Sequence, residues 1–120
     1  MVKKIFIIDD DEMFMDCVAK NIERKFENID IKKFKNAIDA MNELIEPLPD
    51  LIFLDVLLPG PDGFTFLNEI ASYVDTAKIP VVLMTSLSLE KFDLKNYGVV
   101  GILNKEKMKP EEVEAYVERY

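Results

Sequence analysis

Residues 4–12 read KIFIIDDDE, an apolar run that stops abruptly at four acidic side chains. A run of β-branched and aromatic residues this short predicts a strand that is buried on both faces. The acidic residues that follow favour the start of a helix, where Asp11 or Glu12 suits the positive end of the helix dipole. The chain therefore opens with a strand–helix unit of the kind that builds parallel sheets.

The same alternation of strand and helix continues along the chain. Further apolar runs predict buried strands at residues 51–54, 80–84 and 99–103, and the more polar IDIKKF at 29–34 predicts an edge strand. Strands linked by helices through short connections predict right-handed crossovers, with helices on both sheet faces. We therefore expect one domain over residues 1–120, an α/β protein with a three-layer α/β/α, doubly wound architecture and a five-stranded parallel sheet.

The expected helices carry apolar residues three and four positions apart. The first carries Phe14, Cys17, Val18, Ile22 and Phe26, with Cys17 packed as a small hydrophobe. The second spans about 36–46 and stops before Pro47, with Ala37, Ala40, Met41 and Leu44 on its apolar face. The third carries Phe64, Leu67, Ile70 and Val74, and a weaker fourth spans about 90–96 and is closed by Gly98. The last begins at Pro110 and carries Val113, Tyr116, Val117 and Tyr120.

The composition excludes several kinds of chemistry. The 120 residues are 49% hydrophobic and include no His and one Cys. Without His there is no Ser-His-Asp or Cys-His nucleophile pair, and one Cys forms neither an intramolecular disulfide nor a Cys/His zinc site. Chemistry is left to Asp, Glu, Lys, Ser, Thr or Tyr, with oxygen-liganded metals favoured.

Charge and hydropathy restrict the partners and the location. A net charge of −8 argues against direct binding of nucleic acid or of an anionic membrane surface. The N-terminal apolar run is too short for a signal peptide, and no stretch approaches the roughly 20 apolar residues of a membrane span. A lone Cys fits a reducing compartment. We therefore expect a soluble protein of the cytoplasm.

The ends of the predicted strands carry the polar residues that could do chemistry. Asp9 and Asp10 follow the first strand, Asp55 the third, Thr85 the fourth and Lys105 the fifth. In open α/β sheets, ligands bind outside the carboxyl ends of the strands, so these side chains are expected to meet. Three carboxylates within about 5 Å repel one another by roughly 1–3 kcal/mol per pair, and a hard cation such as Mg²⁺ would relieve that repulsion.

The same set of groups suits phosphoryl transfer. Phosphoryl transfer depends mainly on positioning and charge neutralisation, which Mg²⁺ and Lys105 would supply beside Asp55. Carboxylates can act as nucleophiles that form acyl phosphates. The hydroxyl of Thr85 could donate a hydrogen bond to a phosphoryl oxygen and so report phosphorylation to the following helix.

Four motifs lie at the ends of the predicted strands: IIDD at 7–10, DVLLPGPDG at 55–63, MTS at 84–86, and Lys105. Together they resemble the motifs of the receiver domains of two-component response regulators. The resemblance covers essentially the whole chain, and the spacing between the motifs also matches. It implies a flavodoxin-like sheet with the strand order 2-1-3-4-5.

The resemblance also implies a role for each site residue. Asp55 would be the phosphoacceptor, Lys105 the partner of the phosphoryl group and Thr85 the switch hydroxyl. The Mg²⁺ ion, or Mn²⁺ in its place, would be held by Asp10, Asp55 and the Leu57 backbone carbonyl, with Asp9 assisting through water. A stand-alone receiver of this type takes its phosphoryl group from a histidine kinase or a histidine phosphotransfer protein. It then binds a separate downstream protein, as a monomer or as a phosphorylation-dependent dimer.

Three positions depart from the family pattern. Ile102 stands where the family usually has Tyr or Phe, Glu106 follows the lysine where Pro is usual, and Ser86 follows the switch hydroxyl where Ala or Gly is usual. Ile102 has no ring to swing, so a signal would have to pass through Thr85 and the loop after it. The Lys105–Glu106 peptide bond is expected to be trans, because a non-proline cis bond costs about 3 kcal/mol.

Several points are left open by the sequence. Five apolar residues near the fourth helix and the last strand could form core or a partner surface: Leu87, Leu89, Ile102, Met108 and Tyr116. A receiver-like interaction module that acts without phosphorylation is a second hypothesis. A Mg²⁺-dependent phosphohydrolase is a third, against which Leu57 stands where such an enzyme has a second Asp. Leu57 and Leu87 also predict slow loss of the phosphoryl group, because neither can align an attacking water.

Overall fold

The computed structural model describes residues 2–87, 89 and 94–120. Its sheet contains five strands: β1 (Lys3–Ile8), β2 (Ile29–Phe34), β3 (Leu51–Asp55), β4 (Val81–Thr85) and β5 (Val99–Asn104). All neighbouring strands pair in parallel, in the order β2-β1-β3-β4-β5. The predicted order and the edge position of residues 29–34 are therefore confirmed.

In the described part of the chain, three α-helices and one short 3-10 helix lie between strands, and a fourth α-helix follows β5. The α-helices are α1 (Glu12–Lys25), α2 (Ala37–Asn42), α3 (Gly63–Ala71) and α4 (Pro110–Arg119). The 3-10 helix spans Lys95–Tyr97 and ends at Gly98, whose φ of 69° is left-handed as a closing glycine requires. Most of the helix predicted at about 90–96 lies outside the described residues. Among those residues, no helix combines the length and the apolar character that crossing a membrane requires.

The core lies in two layers, one on each face of the sheet. Along β1, Ile5 and Ile7 face α1 and α4, whereas Phe6 and Ile8 face α2 and α3, and all four are fully buried. This strict alternation is the two-residue period of a strand that is covered on both sides. The three-layer α/β/α architecture is confirmed.

The buried face of α1 is rotated relative to the predicted apolar stripe, toward Met15 and Ala19. Its buried residues are Met15, Val18, Ala19 and Ile22, and Phe14 lies only partly buried at the edge. Cys17 is exposed, so the expectation that it packs in the core was wrong. The chain has adjacent apolar residues at 14 and 15, and the packing against the sheet, which spacing alone does not fix, selects Met15.

Two further helices end earlier than predicted. Helix α2 stops at Asn42 rather than 46. The Glu43 N–H donates to the carbonyls of Ala40 and Met41, which tightens the last turn and ends the helix. Helix α3 stops at Ala71, where Ser72 caps it. Val74 therefore lies beyond the helix and is 77% exposed, which corrects its placement on the apolar stripe.

Candidate functional site

Three carboxylates meet at the carboxyl edge of the sheet. Asp9 is fully buried, Asp55 is 5% exposed, and Asp10 is exposed. Each can place one oxygen within 4.8 Å of an oxygen of the other two. The structure thus brings together the three acids that the sequence placed at the ends of two neighbouring strands.

The turn from β1 into α1 fixes Asp9. The Asp9 N–H donates to the Phe34 carbonyl at 2.9 Å, and its Oδ1 accepts a hydrogen bond from the Asp11 N–H, also at 2.9 Å. Asp11 in turn accepts from the Phe14 N–H at 3.1 Å and is the N-cap of α1, as its acidic character predicted. A backbone turn, rather than a flexible side chain, therefore sets the position of the buried carboxylate.

The backbone around Asp55 is packed tightly against the start of α3. The Gly63 N–H donates to the Val56 carbonyl at 2.9 Å, and a Cβ added at Gly63 would lie 2.6 Å from the Asp55 carbonyl oxygen. Only glycine fits at that position. The segment 55–63 therefore leads into α3 and also fixes the main chain that carries Asp55.

Lys105 reaches into this acidic group from the end of β5. Its Nζ lies 2.9 Å from Asp9 Oδ2 and 3.6 Å from Asp55 Oδ2. The same Nζ lies 4.6 Å from the ring centroid of Phe14, within the range of a cation–π contact. The helical spacing of Phe14 predicts a core position alone and does not indicate this second contact.

A side-chain turn holds the loop after Lys105 in place of proline. The Lys105–Glu106 bond is trans, as predicted, since among the described residues cis geometry is found at Glu46–Pro47. The Asn104 side-chain oxygen accepts a hydrogen bond from the Glu106 N–H at 2.9 Å. The backbone carbonyl of Asn104 accepts one from the Met108 N–H at 2.8 Å. Asn is a frequent residue in such turns, so its place before Lys105 was the signal that could have revealed this device.

Comparison with known proteins identifies the family. The family model described as "Response regulator receiver domain" matches residues 5–118. This chain belongs to that family.

Individual relatives show how far the likeness extends. The receiver domain is 37% identical over 84 residues to RpaA of Synechocystis sp., a DNA-binding dual master transcriptional regulator, with 70% of this chain and 34% of RpaA covered. It spans about a third to two fifths of the length of the curated relatives it matches. A two-component response regulator from Clostridium difficile is 28% identical, with a TM-score of 0.82 and coverage of 98% and 93% of the two chains. The Mn²⁺-bound form of response regulator Rcp1 is 25% identical, with a TM-score of 0.78 and coverage of 98% and 90%.

The electrostatics of the receiver site are set by burial and by the close charges. Burial, together with the neighbouring Asp9 carboxylate, raises the pKa of Asp55 to about 6, although Lys105 acts in the opposite direction. Burial disfavours the charge on Lys105, but its hydrogen bond to Asp9 and the fields of both carboxylates outweigh this and raise its pKa. Lys105 therefore stays charged, whereas burial and the charge of Asp9 both disfavour ionisation of the Asp55 carboxyl group.

This carboxylate set fits a hard divalent cation. Three carboxylate oxygens lie within reach of one another, and the Asp9 carboxylate adds to the effect of burial in raising the pKa of Asp55. Oxygen donors of this kind are the ligands that Mg²⁺ and Mn²⁺ prefer. The Leu57 N–H donates to Asp55 Oδ1 at 3.3 Å, and the predicted role of the Leu57 carbonyl as a ligand stays a prediction.

Thr85 lies at the end of β4, one residue beyond Met84, which is the register partner of Asp55. It is 2% exposed, and its hydroxyl oxygen accepts from the Leu87 N–H at 3.0 Å. The Lys105 N–H donates to the Thr85 carbonyl at 3.1 Å, so one strand end carries both the hydroxyl and a bond to the lysine segment. Its role as the switch stays a prediction.

The five apolar residues left open by the sequence divide into two groups. Leu89 is buried, and Met108 and Tyr116 pack partly buried against the core. Leu87 and Ile102 are 45% and 47% exposed, which keeps a partner surface open at those two positions. Tyr116 owes its place to Gly101, because a Cβ at 101 would overlap the tyrosine hydroxyl and ring.

Proposed function

We propose that this receiver domain is a phosphoacceptor switch of a two-component system or phosphorelay. Asp55 would accept a phosphoryl group from the phosphohistidine of a histidine kinase or phosphotransfer protein. The observation that carries the proposal is the position of Lys105 Nζ between two buried carboxylates, at 2.9 Å from Asp9 and 3.6 Å from Asp55. The sequence contains no His, so the phosphohistidine has to come from another molecule.

Asp55 supplies the nucleophile. One carboxylate oxygen attacks phosphorus, the P–N bond of the phosphohistidine breaks, and the departing nitrogen keeps the bonding electron pair. When the other ring nitrogen of the donor histidine carries no proton, the departing nitrogen takes one up. The donor therefore leaves as a neutral imidazole. Because the pKa of Asp55 is about 6, most of the carboxylate is already ionised and ready to attack at neutral pH.

Lys105 neutralises charge on the transferred group. Its ammonium is shared between Asp9 and Asp55, so it can pair with an incoming phosphoryl oxygen without moving far from Asp9. The ring of Phe14 and the turn formed by Asn104 keep the side chain and the loop aligned. Such preorganised charge is the main contribution a protein makes to phosphoryl transfer.

Asp10, Asp55 and the Leu57 carbonyl would hold Mg²⁺, with Asp9 acting through water. The ion, when bound, supplies charge neutralisation for the phosphoryl oxygens. Mn²⁺ is the alternative ion, and the Mn²⁺-bound form of Rcp1 supports it for this site. The close approach of the three carboxylate oxygens supports the need for such an ion.

The output would pass through Thr85 and the loop that follows it. If the Thr85 hydroxyl turns toward the phosphoryl group, the Leu87 N–H loses its acceptor and the segment after β4 rearranges. Leu87 after β4 and Val100 and Ile102 on β5 are exposed apolar residues in the described part of the chain, and they would bind the downstream protein or a second copy. The partner would be a protein rather than nucleic acid, given the charge of −8, and the lone exposed Cys17 fits the reducing cytoplasm.

Labelling by a small phosphodonor tests the proposal. The protein is incubated with phosphoramidate in Mg²⁺ and then in EDTA, and its intact mass is followed with time. We expect a gain of one phosphoryl group that needs Mg²⁺ and is lost in Asp55→Asn. Asp50→Asn is the matched control, because Asp50 is also an aspartate next to β3 but lies at the opposite edge of the sheet.

Three results would contradict this assignment. Absence of labelling in the wild type would exclude the phosphoacceptor role, and labelling that persists in Asp55→Asn would exclude this residue. Continuous release of inorganic phosphate without accumulation of mass would favour the phosphohydrolase.

A phosphorylation-independent interaction module is the second candidate. It is favoured by the exposure of Leu87, Val100 and Ile102 in the unphosphorylated protein, since that surface needs no switch to become accessible. NMR spectra recorded with and without phosphoramidate separate the two. Shifts that reach Ile102 support the switch, whereas shifts confined to residues around Asp55 support the module.

A further inference from the structure

A groove lies at the edge of the sheet opposite the acidic site. It has a volume of about 330 Å³ and runs between the segment after α2 and the turn after α3. Its apolar lining is Met41, Leu44, Leu48, Ile70 and Tyr73, and its polar lining is Glu46, Glu69, Asp75 and Thr76. Helices run antiparallel to the strands they connect, so the carboxyl ends of α2 and α3 lie at the amino edge of the sheet. The phosphoacceptor machinery does not use this groove.

The segments that line the groove also carry exposed apolar side chains. In the sequence, Ile45 and Val74 each lie between two lining residues, and their side chains are 63% and 77% exposed. Tyr73, which lines the groove, is 60% exposed. Ile38 is 51% exposed and lies three residues before Met41 in α2, on the same side of that helix. Of the ten large hydrophobic residues exposed in the described part of the chain, four therefore belong to this region. A cluster of this kind marks a contact surface more often than it marks chance exposure.

The electrostatics of the groove favour a cation. Glu46, Glu69 and Asp75 line its rim, and none of its lining residues is basic. The last turns of α2 and α3 contain no basic residue, so their partial negative charge is not compensated. By contrast α1 carries Arg24 and Lys25 in its last turn, and α4 carries Arg119.

The walls are fixed by local hydrogen bonds. The Thr76 hydroxyl donates to the Ile70 carbonyl at 2.6 Å, and the Ala77 N–H donates to the Tyr73 carbonyl at 2.8 Å. On the other side, Lys4 Nζ donates to the Pro47 carbonyl at 2.7 Å and ties that loop to β1. A groove with walls held in this way can bind a ligand without first ordering itself.

We propose that this groove docks an amphipathic basic segment of a partner protein, most simply a helix. Its apolar side chains would enter between Leu44 and Ile70, and its lysine or arginine residues would pair with Glu46, Glu69 and Asp75. The volume is at the lower end for a small-molecule pocket but suits a few anchoring side chains of an amphipathic helix. A second copy of this chain is a poor occupant, because a charge of −8 on each copy opposes pairing at an acidic groove.

Binding here would not depend on Asp55, since the groove lies at the opposite edge of the sheet. The inference therefore does not rest on the phosphoacceptor role. An Asp55→Asn protein, which separates the two, is expected to bind the segment as the wild type does.

Three synthetic peptides of equal length test the proposal by NMR titration of the full chain. The first has leucines at i, i+3, i+4 and i+7 with lysines elsewhere; the second has glutamates for the lysines; the third is a scramble of the first. We expect only the first to shift the resonances of Met41, Leu44, Ile70 and Thr76. We expect its affinity to fall as salt is added.

Matched variants establish where the peptide binds. Glu69→Lys should weaken binding about tenfold by reversing a rim charge, whereas Glu118→Lys in the last turn of α4 should change it less than twofold. Ile45→Ser combined with Val74→Ser should weaken it about fivefold; both side chains are exposed, so the fold is expected to persist, which the NMR spectrum itself checks.

Four results of the peptide titrations would overturn the proposal. They are equal binding of the acidic or scrambled peptide, shifts centred away from the groove, equal effects of Glu69→Lys and Glu118→Lys, and absence of binding by the first peptide. Sedimentation that shows a dimer abolished by the double serine variant would identify a second copy as the occupant and would also overturn it.

Discussion

The two edges of the sheet are built by different means. At the carboxyl edge, Asp9, Asp55 and Lys105 are held by turns and by close backbone packing, and Asp9 and Asp55 are almost fully buried. At the amino edge, the groove between α2 and α3 is lined by apolar side chains and by exposed carboxylates. The first arrangement depends on the position of single atoms. The second depends on many small contacts spread over a surface. A single substitution should therefore have a larger effect at the carboxyl edge than at the amino edge.

Removal of the Lys105 charge should have the largest effect. We expect Lys105→Gln to slow labelling by phosphoramidate about 100-fold, because a preorganised charge at a transferred group contributes on that scale. The initial rate of mass gain measures this. Lys107→Gln, an exposed neighbour on the same loop, should label as the wild type does. A loss smaller than threefold in Lys105→Gln would place the neutralising charge elsewhere.

A methyl group at position 63 should disturb the carboxyl edge more than a polar substitution disturbs the groove. Gly63→Ala places a Cβ 2.6 Å from the Asp55 carbonyl oxygen, and we expect a loss of about 2–3 kcal/mol in the free energy of unfolding. Val74→Ser, at an exposed position of the amino edge, should change it by less than about 0.5 kcal/mol. Urea denaturation with unchanged m-values measures both. Similar losses in the two variants would remove the contrast between the edges.

The two aspartates at the ends of β3 should respond to amidation in opposite directions. Folding raises the pKa of Asp55 from its usual value near 4 to about 6, so the native state binds this proton more tightly than the unfolded chain does. The free energy of unfolding therefore falls as the pH rises through that window, and the penalty is complete above it. In EDTA at pH 7.5, Asp55→Asn should add about 1–3 kcal/mol, and the gain should vanish below pH 4.

Asp50→Asn provides the comparison for that measurement. Its Oδ2 accepts a hydrogen bond from the Lys4 N–H at 2.8 Å, so amidation there should cost up to about 1 kcal/mol. Denaturation curves between pH 3.5 and 8 give both values. A gain in Asp50→Asn, or a loss in Asp55→Asn at pH 7.5, would contradict the charge balance described for the site.

The lifetime of the phosphoryl group should show the smallest change. Leu57 is 59% exposed and offers no polar atom to an attacking water, so we expect the label to last for minutes rather than seconds once the donor is removed. Leu57→Gln should shorten that lifetime about tenfold. The decay of intact mass after desalting measures it, with Ile45→Gln at the amino edge as the control. A wild-type half-life of a few seconds would contradict the prediction.

Alternating strands and helices predict a parallel sheet and the gathering of the site residues, whereas the strand order is implied only by the resemblance to receiver domains. Asp9, Asp55, Thr85 and Lys105 end strands whose apolar runs are unambiguous, and parallel strands bring their carboxyl ends to one edge. Strand period and chain alternation are local signals that the tertiary structure does not override. The positions of these groups could therefore be predicted without knowledge of any contact.

Other features depend on contacts that local patterns do not encode. The buried face of α1 rotates toward Met15 rather than Cys17, and Phe14 comes to lie over Lys105, because packing on the sheet decides both. The turn made by Asn104 depends on a side-chain hydrogen bond and the early end of α2 on a tightened backbone turn, and single hydrogen bonds of this kind contribute only about 1 kcal/mol each. The groove depends on two separate segments, residues 41–48 and 69–76, and leaves no motif in the chain.

The missing Cβ at Gly101 couples two parts of the polypeptide that are far apart in sequence. The hydroxyl and ring of Tyr116 occupy the volume that a Cβ at 101 would need, so any other residue there requires the tyrosine side chain to move. A designer who transplants α4 onto another receiver domain should carry Gly101 along with it if the tyrosine is to keep this position. A library that varies position 101 alone should favour glycine, and other residues should be recovered more often when position 116 is allowed to shrink in the same clone.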